Sequence, residues 1–211
     1  MNKSRKLQLG AWGLSLITCA VAFIAWGQGN RWHFDDLSSY NLFPLFGLLA
    51  FSLMWSHYII AAVRQYTGIE KKYIQSYFSA TAWAVLAFIL LHPGLLIWQL
   101  WRDGFGLPPG SYLRNYVAPN AAWAALLGSV SLFIFLAYEL HRKFKQKPWW
   151  KYVQYLSDIA MFFIFFHALR LGRQLRPDWF RMVWWVYGVS LAAALLYNYA
   201  GRNIGIKKEE V

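Results

Sequence analysis

The hydrophobic residues of this chain form six long stretches, separated by short polar segments. Each stretch is about 20 residues long, which is what an α-helix needs to cross a hydrocarbon core of roughly 30 Å at about 1.5 Å per residue. The stretches are continuous, whereas the strands of a membrane β-barrel alternate apolar and polar residues. We therefore predict an all-α integral membrane protein, in which residues 1–211 form a single six-helix transmembrane bundle. The predicted helices lie at residues 7–26, 42–63, 78–101, 119–140, 152–171 and 179–200.

The composition supports this class. The chain is 58% hydrophobic and only 14% charged, so it has too little polar surface to coat a soluble globule. The first stretch follows a basic segment, as a signal peptide does, but it is rather long for one and no small-residue cleavage site follows it. We therefore interpret it as the first transmembrane helix. The one cysteine, Cys19, lies within it and cannot form an internal disulfide.

The basic residues are unevenly divided between the two sides of the predicted bundle. About two thirds of the 21 lysines and arginines lie in the N-terminal segment, the second and fourth loops and the C-terminal tail, which share one side. The positive-inside rule therefore predicts a cell-membrane protein with both termini in the cytoplasm. The net charge of +12 then reflects topology and attraction to anionic membrane lipid. Because the basic residues are dispersed without a recognition motif, we expect no nucleic-acid partner.

Two histidines lie at the same predicted depth in two helices that run in the same direction. His92 lies 14 residues after Phe78, and His167 lies 15 residues after Tyr152. Both are therefore roughly 21 to 23 Å from the cytoplasmic boundary, in the outer half of the membrane. Neutral imidazole is a good iron ligand, and a haem between two helices needs one nitrogen from each side. We predict that His92 and His167 are the axial ligands of one haem; alternatively, each is hydrogen-bonded to a neighbouring hydroxyl or carbonyl.

Two segments around these histidines resemble the ferric-reductase-like transmembrane domain family. Residues 87–93, AFILLHP, are similar to the family's histidine–proline segment on the third helix. Residues 150–154, WKYVQ, and 166–172, FHALRLG, are similar to its histidine segment on the fifth helix. The family includes NADPH oxidase membrane domains, six-transmembrane metalloreductases and bacterial haem-binding partners of methionine sulfoxide reductases. Its members usually hold two stacked haems between the third and fifth helices.

The resemblance implies one haem here, because this chain departs from the two-haem pattern. The inner ligands of the family would fall at Phe78 or Ser79 on the third helix and at Gln154 on the fifth, and none of these is histidine. The inner ligands are absent from both helices together, as expected if the whole inner haem site has been lost. The resemblance thus implies a single-haem electron-transport protein of cytochrome b type, and whether it is itself an oxidoreductase or an electron-transfer subunit stays open.

The remaining predictions concern the haem propionates and the source of electrons. Arginine binds carboxylates through a planar fork, although lipid phosphate would attract the same side chains. Because the predicted haem lies about 20 Å from the cytoplasmic face, electrons need a separate flavoprotein or quinol, unless the haem exchanges electrons only with extracytoplasmic partners. A different possibility is a haem-free membrane scaffold or carrier. The candidate propionate partners are Arg102, Arg114, Arg170 and Arg173.

Three other ionisable residues lie in or beside the predicted helices. His57 and His141 could build an unusual inner site, but we favour a hydrogen-bonded His57 and an interfacial His141. Asp158 is a possible proton or cation site, and we expect it to pair with Arg64 or Gln154. The longest outer loop, at residues 103–119, is rich in glycine and proline and is a candidate lid over the outer face.

Overall fold

The computed structural model describes residues 2–35, 37–141, 147–176 and 178–209, and for residues 140, 141, 178 and 201–209 it describes the backbone alone. This part of the chain is helical and contains no strand. Short 3-10 helices at Lys71–Ile74, Pro119–Ala121 and Arg173–Leu175 precede α3, α5 and α7. The α-helices are α1 (Lys3–Gly29), α2 (Ser39–Thr67), α3 (Gln75–Arg102), α4 (Gly110–Asn115), α5 (Ala122–His141), α6 (Trp150–Leu171) and α7 (Asp178–Glu209).

Six of the helices are long and apolar enough to cross a membrane, so the predicted all-α membrane fold is confirmed at this level. They are α1, α2, α3, α5, α6 and α7, whereas α4 is a single short helix in the third loop. Several helices extend beyond their hydrophobic stretches; α1, for example, begins at Lys3 and not at residue 7. The extra turns carry polar side chains, which helix ends tolerate at a membrane surface. Which end faces the cytoplasm stays a prediction.

The bundle is built from two helix hairpins with α1 and α7 beside them. In one hairpin α3 packs mainly on α2, and in the other α6 packs mainly on α5. Helices α1 and α7 both pack against α2. We call the end of the bundle that holds Lys3, Thr67 and Gln75 the terminal end, and the end that holds Gly29 and Arg102 the distal end. The surfaces of α3 and α6 that face each other hold the polar groups described below.

The core between α2, α6 and α7 is a block of stacked aromatic rings. Phe51 of α2 stacks on Trp184 of α7 with ring centres 4.3 Å apart, and Trp55 stacks on Tyr187 at 4.4 Å. Phe165 of α6 lies parallel to Trp184 at 6.1 Å. Rings in such contact add favourable stacking to a large buried apolar area. The block therefore fixes the position of α6 two residues before His167.

Three buried hydroxyl groups connect α1, α2 and α3 near the terminal end. The Tyr77 hydroxyl lies 2.8 Å from Ser15 Oγ and 2.8 Å from Ser56 Oγ, and the two serine oxygens are 3.1 Å apart. Between membrane helices, hydrophobic burial gives no driving force for association, so packing and interhelical hydrogen bonds contribute more. The cluster thus ties α1 to the α2–α3 hairpin.

The candidate lid at residues 103–119 folds over the distal end of α2. Tyr116 stacks on Tyr40 with ring centres 5.9 Å apart and planes 5° apart. The Tyr40 hydroxyl donates to Asp103 Oδ2 at 2.9 Å, which holds the start of the loop at the same place. Tyr116 also meets the edge of Phe43, the ring of which lies 5.4 Å from the His92 ring. The loop therefore covers the bundle close to the predicted histidine site.

Candidate functional site: the facing histidines

The structure brings His92 and His167 together across the space between α3 and α6. Their ring centres are 6.3 Å apart and their planes cross at 88°. His92 lies in the second half of α3 and His167 lies four residues before the end of α6, so the pair is in the distal half of the bundle. The two histidines that were predicted to lie at one depth are thus also on facing helix surfaces.

Each histidine is oriented by a backbone carbonyl of the neighbouring helix in its own hairpin. His92 Nδ1 donates to the Phe43 carbonyl oxygen at 2.7 Å, and His167 Nδ1 donates to the Ala124 carbonyl oxygen at 2.8 Å. A carbonyl oxygen can only accept, so Nδ1 carries the proton and Nε2 of the neutral ring keeps its lone pair. Metal-binding histidines commonly use their second nitrogen in this way. We considered a hydrogen bond to a carbonyl as an alternative to metal binding. Because that bond uses Nδ1, it leaves Nε2 of each ring available as a ligand.

A glycine faces each imidazole ring from the same neighbouring helix. A methyl group added to Gly47 would lie 2.8 Å from the His92 ring, and one added to Gly128 would lie 2.6 Å from the His167 ring. Carbon atoms do not approach each other so closely, so only glycine fits these positions without movement of the ring. Sequence analysis missed both residues. Their only signal is a glycine inside an apolar helix, which does not reveal what occupies the space.

The separation of the rings suits two axial ligands of one metal ion. A metal–imidazole bond is about 2.0 Å long. The ring nitrogen lies about 1.2 Å from the ring centre, because conjugated ring bonds are roughly 1.35 Å long. Two such ligands on opposite sides of a metal ion therefore have centres about 6.4 Å apart, against the observed 6.3 Å. Among the described residues, no group of three His, Cys, Asp or Glu side chains is arranged to hold a metal ion.

The candidate propionate partners lie at the distal end. Arg173 Nη2 donates to Asn30 Oδ1 at 2.7 Å, and both residues border a pocket of about 400 Å³ at the distal end. Partial burial raises the pKa of the Tyr116 hydroxyl, and the positive charge of Arg173 partly offsets this effect. Arg102 Nε lies 3.9 Å from Asp103 Oδ1. Their role toward a propionate stays a prediction, as does that of the two exposed arginines, Arg114 and Arg170.

A cavity of about 590 Å³ occupies the space between the hairpins toward the terminal end. Its walls include Phe78, Ser79 and Gln154, the positions at which the family resemblance would place a second pair of ligands. These three positions, none of which is a histidine, therefore lie around one cavity. His57 and Asp158 border the same cavity.

The structure corrects the prediction for Asp158. We expected a pair with Arg64 or Gln154, but the Asp158 carboxylate accepts hydrogen bonds from Tyr58 of α2 at 2.8 Å and from Tyr199 of α7. Arg64 instead donates to the Ile69 carbonyl at 3.2 Å. The physical reason is its place in the last turn of α2, where the carbonyl groups beyond a helix end attract a cation.

Of the two other histidines for which we made a prediction, the structure describes the side chain of His57. His57 Nε2 lies 2.6 Å from Thr81 Oγ1, and its ring meets the edges of Tyr77 and Phe78. It is therefore hydrogen-bonded inside the terminal half, away from the His92–His167 pair. The side chain of His141 lies outside the described residues.

These features define a class, namely a multi-pass helical membrane protein with two facing histidines in one half of the bundle and a polar cavity in the other. No protein-family model matches the chain, and neither a curated protein nor a solved structure matches it. The likeness to ferric-reductase-like domains therefore remains an expectation based on residues 87–93 and 150–172.

Proposed function

We propose that this protein is a haem b-binding transmembrane electron-transfer protein of ferric-reductase-like type, with His92 and His167 as the axial ligands of one haem. The observation that carries the proposal is the separation of 6.3 Å between two rings whose Nδ1 atoms are both engaged by backbone carbonyls. A porphyrin supplies four ligands of its own, so two imidazoles complete the coordination of its iron. When bound, the haem supplies one-electron redox chemistry.

The ligand set favours electron transfer over chemistry at the iron. With both axial positions filled by protein nitrogens, no position is open for oxygen or a substrate. The chain then has to hold the rings, exclude water from them and present the site to its partners. In the cell membrane, with both termini cytoplasmic, the histidine pair lies in the outer half, and we expect an extracytoplasmic electron acceptor.

The cavity at the terminal end favours a membrane quinol over a separate flavoprotein as the electron donor. Its volume of about 590 Å³ lies in the range of small-molecule sites. Oxidation of a quinol releases two protons and two electrons, and one haem would take these electrons one at a time as the acceptor reoxidises it. The Asp158 carboxylate beside the cavity is a proton acceptor held by Tyr58 and Tyr199. A polar acid inside a membrane bundle is costly and commonly functional. A donor that releases protons and a carboxylate that accepts them would therefore lie at the same cavity.

The haem proposal is tested by reduced-minus-oxidised difference spectra of the purified protein, with haem quantified per protein. We expect a reducible b-type band that disappears in His92→Ala and in His167→Ala. His57→Ala is the matched control, because His57 is also a partly buried histidine within a membrane helix but bonds to Thr81. A featureless wild-type spectrum, or loss of the band only in the control, contradicts the proposal.

The donor is tested with the wild-type protein in liposomes. A soluble quinol analogue should reduce the haem within the time that dithionite needs in a parallel sample. Reduction by a flavin reductase with NADPH and free flavin, but not by the quinol, would assign the donor to a flavoprotein instead. Each result is independent of the ligand variants, since it uses the unaltered chain.

A further inference from the structure

The two histidine positions repeat one local arrangement on two different helix hairpins. On α2, Gly47 lies four residues after Phe43, the carbonyl of which accepts from His92. On α5, Gly128 lies four residues after Ala124, the carbonyl of which accepts from His167. In each hairpin, then, one helix presents a carbonyl and a glycine one turn apart, and the imidazole of the other helix lies against both.

Helix geometry explains why the glycine comes one turn after the carbonyl. The carbonyl of residue i already accepts the N–H of residue i+4. The Cβ atom of residue i+4 tilts back toward the N-terminus and lies over the preceding turn. A side chain there would cover the carbonyl, whereas glycine exposes its second lone pair to a donor from outside the helix. The same missing side chain makes room for the ring.

We propose that Gly47 and Gly128 are positioning residues for the haem ligands. Each glycine exposes the carbonyl that orients its histidine and leaves room for the imidazole ring beside it. The two imidazole planes held in this way cross at 88°. This inference rests on the proposed function, because the orientation matters only if both rings bind one iron. A methyl group at either glycine would push the ring off its carbonyl by contact at 2.8 Å or 2.6 Å.

The angle between the two imidazole planes can be tested by electron paramagnetic resonance of the ferric haem. A variant that is folded but has misplaced rings would differ in this signal. In a low-spin ferric haem with two imidazoles, the relative orientation of the ring planes controls the splitting of the iron d orbitals. Parallel planes give a rhombic electron paramagnetic resonance signal, whereas perpendicular planes give a strongly anisotropic signal with one dominant low-field feature. The structure therefore predicts the anisotropic type for the wild-type protein.

The experiment compares Gly47→Ala and Gly128→Ala with Gly13→Ala. Gly13 is the matched control because it is also inside a transmembrane helix, but a methyl group there would meet nothing within 4 Å. For each purified variant we would measure haem per protein, the resonance spectrum of the ferric form, and binding of carbon monoxide to the ferrous form. Helical circular dichroism and elution from a sizing column establish that a variant is folded.

We expect the wild-type protein and Gly13→Ala to give the anisotropic signal and not to bind carbon monoxide. In folded Gly47→Ala and Gly128→Ala, that signal should be lost, and most of the retained haem should bind carbon monoxide because one axial position has opened. If a variant retains no haem, added imidazole together with haem should restore a six-coordinate spectrum, since a free imidazole is not constrained by the helix.

Other outcomes overturn the inference. If both alanine variants keep the wild-type resonance signal and exclude carbon monoxide, the glycines do not position the ligands, although the haem proposal survives. The same holds if Gly13→Ala changes as much as they do, or if free imidazole does not restore the spectrum of a folded, haem-free variant. If the wild-type protein has no haem band, the proposed function and this inference fail together.

Discussion

Removal of the Tyr77 hydroxyl tests how the α1 helix is attached to the rest of the bundle. Tyr77 is fully buried, and its hydroxyl lies 2.8 Å from both Ser15 of α1 and Ser56 of α2. Tyr77→Phe keeps the ring and its packing but removes both hydrogen bonds. The two serine hydroxyls, 3.1 Å apart, can still bond to each other, because Ser56 donates to the Leu53 carbonyl and can accept from Ser15.

The expected loss follows from hydrogen bonds measured between membrane helices. These average about 0.6 kcal/mol each, with a maximum of about 1.7 kcal/mol. Because the Ser56 proton is donated to the Leu53 carbonyl, only the Tyr77 and Ser15 protons serve the three contacts. Tyr77→Phe therefore loses two bonds and lets one form between the serines, and this net loss of one bond should reduce the free energy of unfolding by about 0.6 to 1.7 kcal/mol. Ser15→Ala should cost about the same in the Tyr77→Phe background as in the wild-type protein, because it removes one hydrogen bond in each, the bond to Tyr77 in the wild-type protein and the bond to Ser56 in the variant.

The measurement is unfolding in mixed detergent and dodecyl sulfate micelles, followed by tryptophan fluorescence. Tyr66→Phe is the control, since Tyr66 is 80% exposed and its change should alter the free energy of unfolding by less than about 0.5 kcal/mol. A loss for Tyr77→Phe no larger than that of Tyr66→Phe would show that the cluster does not stabilise the bundle. A loss above about 3 kcal/mol, or a cost of Ser15→Ala that differs by more than about 1 kcal/mol between the two backgrounds, would refute the accounting from separate hydrogen bonds.

Three further outcomes are expected. Asp158→Asn should slow haem reduction by a quinol analogue at least about tenfold, a barrier increase of about 1.4 kcal/mol, while reduction by dithionite and the haem content stay unchanged; equal quinol rates would remove Asp158 from the donor site. Gly188→Ala should destabilise the bundle by about 1 to 3 kcal/mol in a detergent unfolding series, because its methyl group would lie 2.6 Å from the buried Phe165 ring, whereas Gly13→Ala should be neutral or stabilising. Arg173→Gln should lower the midpoint potential of the haem in a redox titration, because a positive charge near the haem stabilises its reduced form; an unchanged potential would argue against its pairing with a propionate.

The transmembrane helices could be predicted because the membrane imposes a local rule. A span must be apolar over about 20 consecutive residues, and this can be counted along the chain without knowledge of any neighbour. The same counting placed His92 and His167 at one depth, since depth depends only on the rise per residue. The structure places both in the distal half of the bundle with ring centres 6.3 Å apart.

The rest of the site depends on the rotation of each helix about its axis, which counting does not provide. The carbonyls of Phe43 and Ala124 and the glycines that expose them lie on helices without any predicted ligand. Residue type gives no signal for a backbone carbonyl. Only the packing of α2 on α3 and of α5 on α6 turns these positions toward the histidines.

The wrong prediction for Asp158 has a different origin. A comparison of depths along the helices would have argued against a pair between Asp158 and Arg64. Asp158 lies eight residues after the start of α6 and Tyr58 lies nine residues before the end of α2, so the two are at similar depths. Arg64 lies only three residues before that end. We expected an ion pair because Asp158 and Arg64 carry opposite charges. The Tyr58 phenol lies at a depth similar to that of Asp158 and is its partner instead.

Asp158 and the His92–His167 pair lie in different halves of the bundle, so the bundle is asymmetric along its axis. Nine residues of α6 separate Asp158 from His167, which is about 13.5 Å along the axis and roughly half of a hydrocarbon core of about 30 Å. The Nδ1 protons of both histidines are already donated to carbonyls, and if their Nε2 atoms bind the haem iron as we propose, the pair has no free site for a further proton. Asp158, by contrast, borders the cavity and accepts from hydroxyl groups that can reorient. A donor oxidised in the cavity would thus leave its protons in the terminal half while its electrons move to the distal half. Such a separation needs ligands that take up no proton when the haem is reduced, and histidines with both ring nitrogens engaged in this way would meet that need.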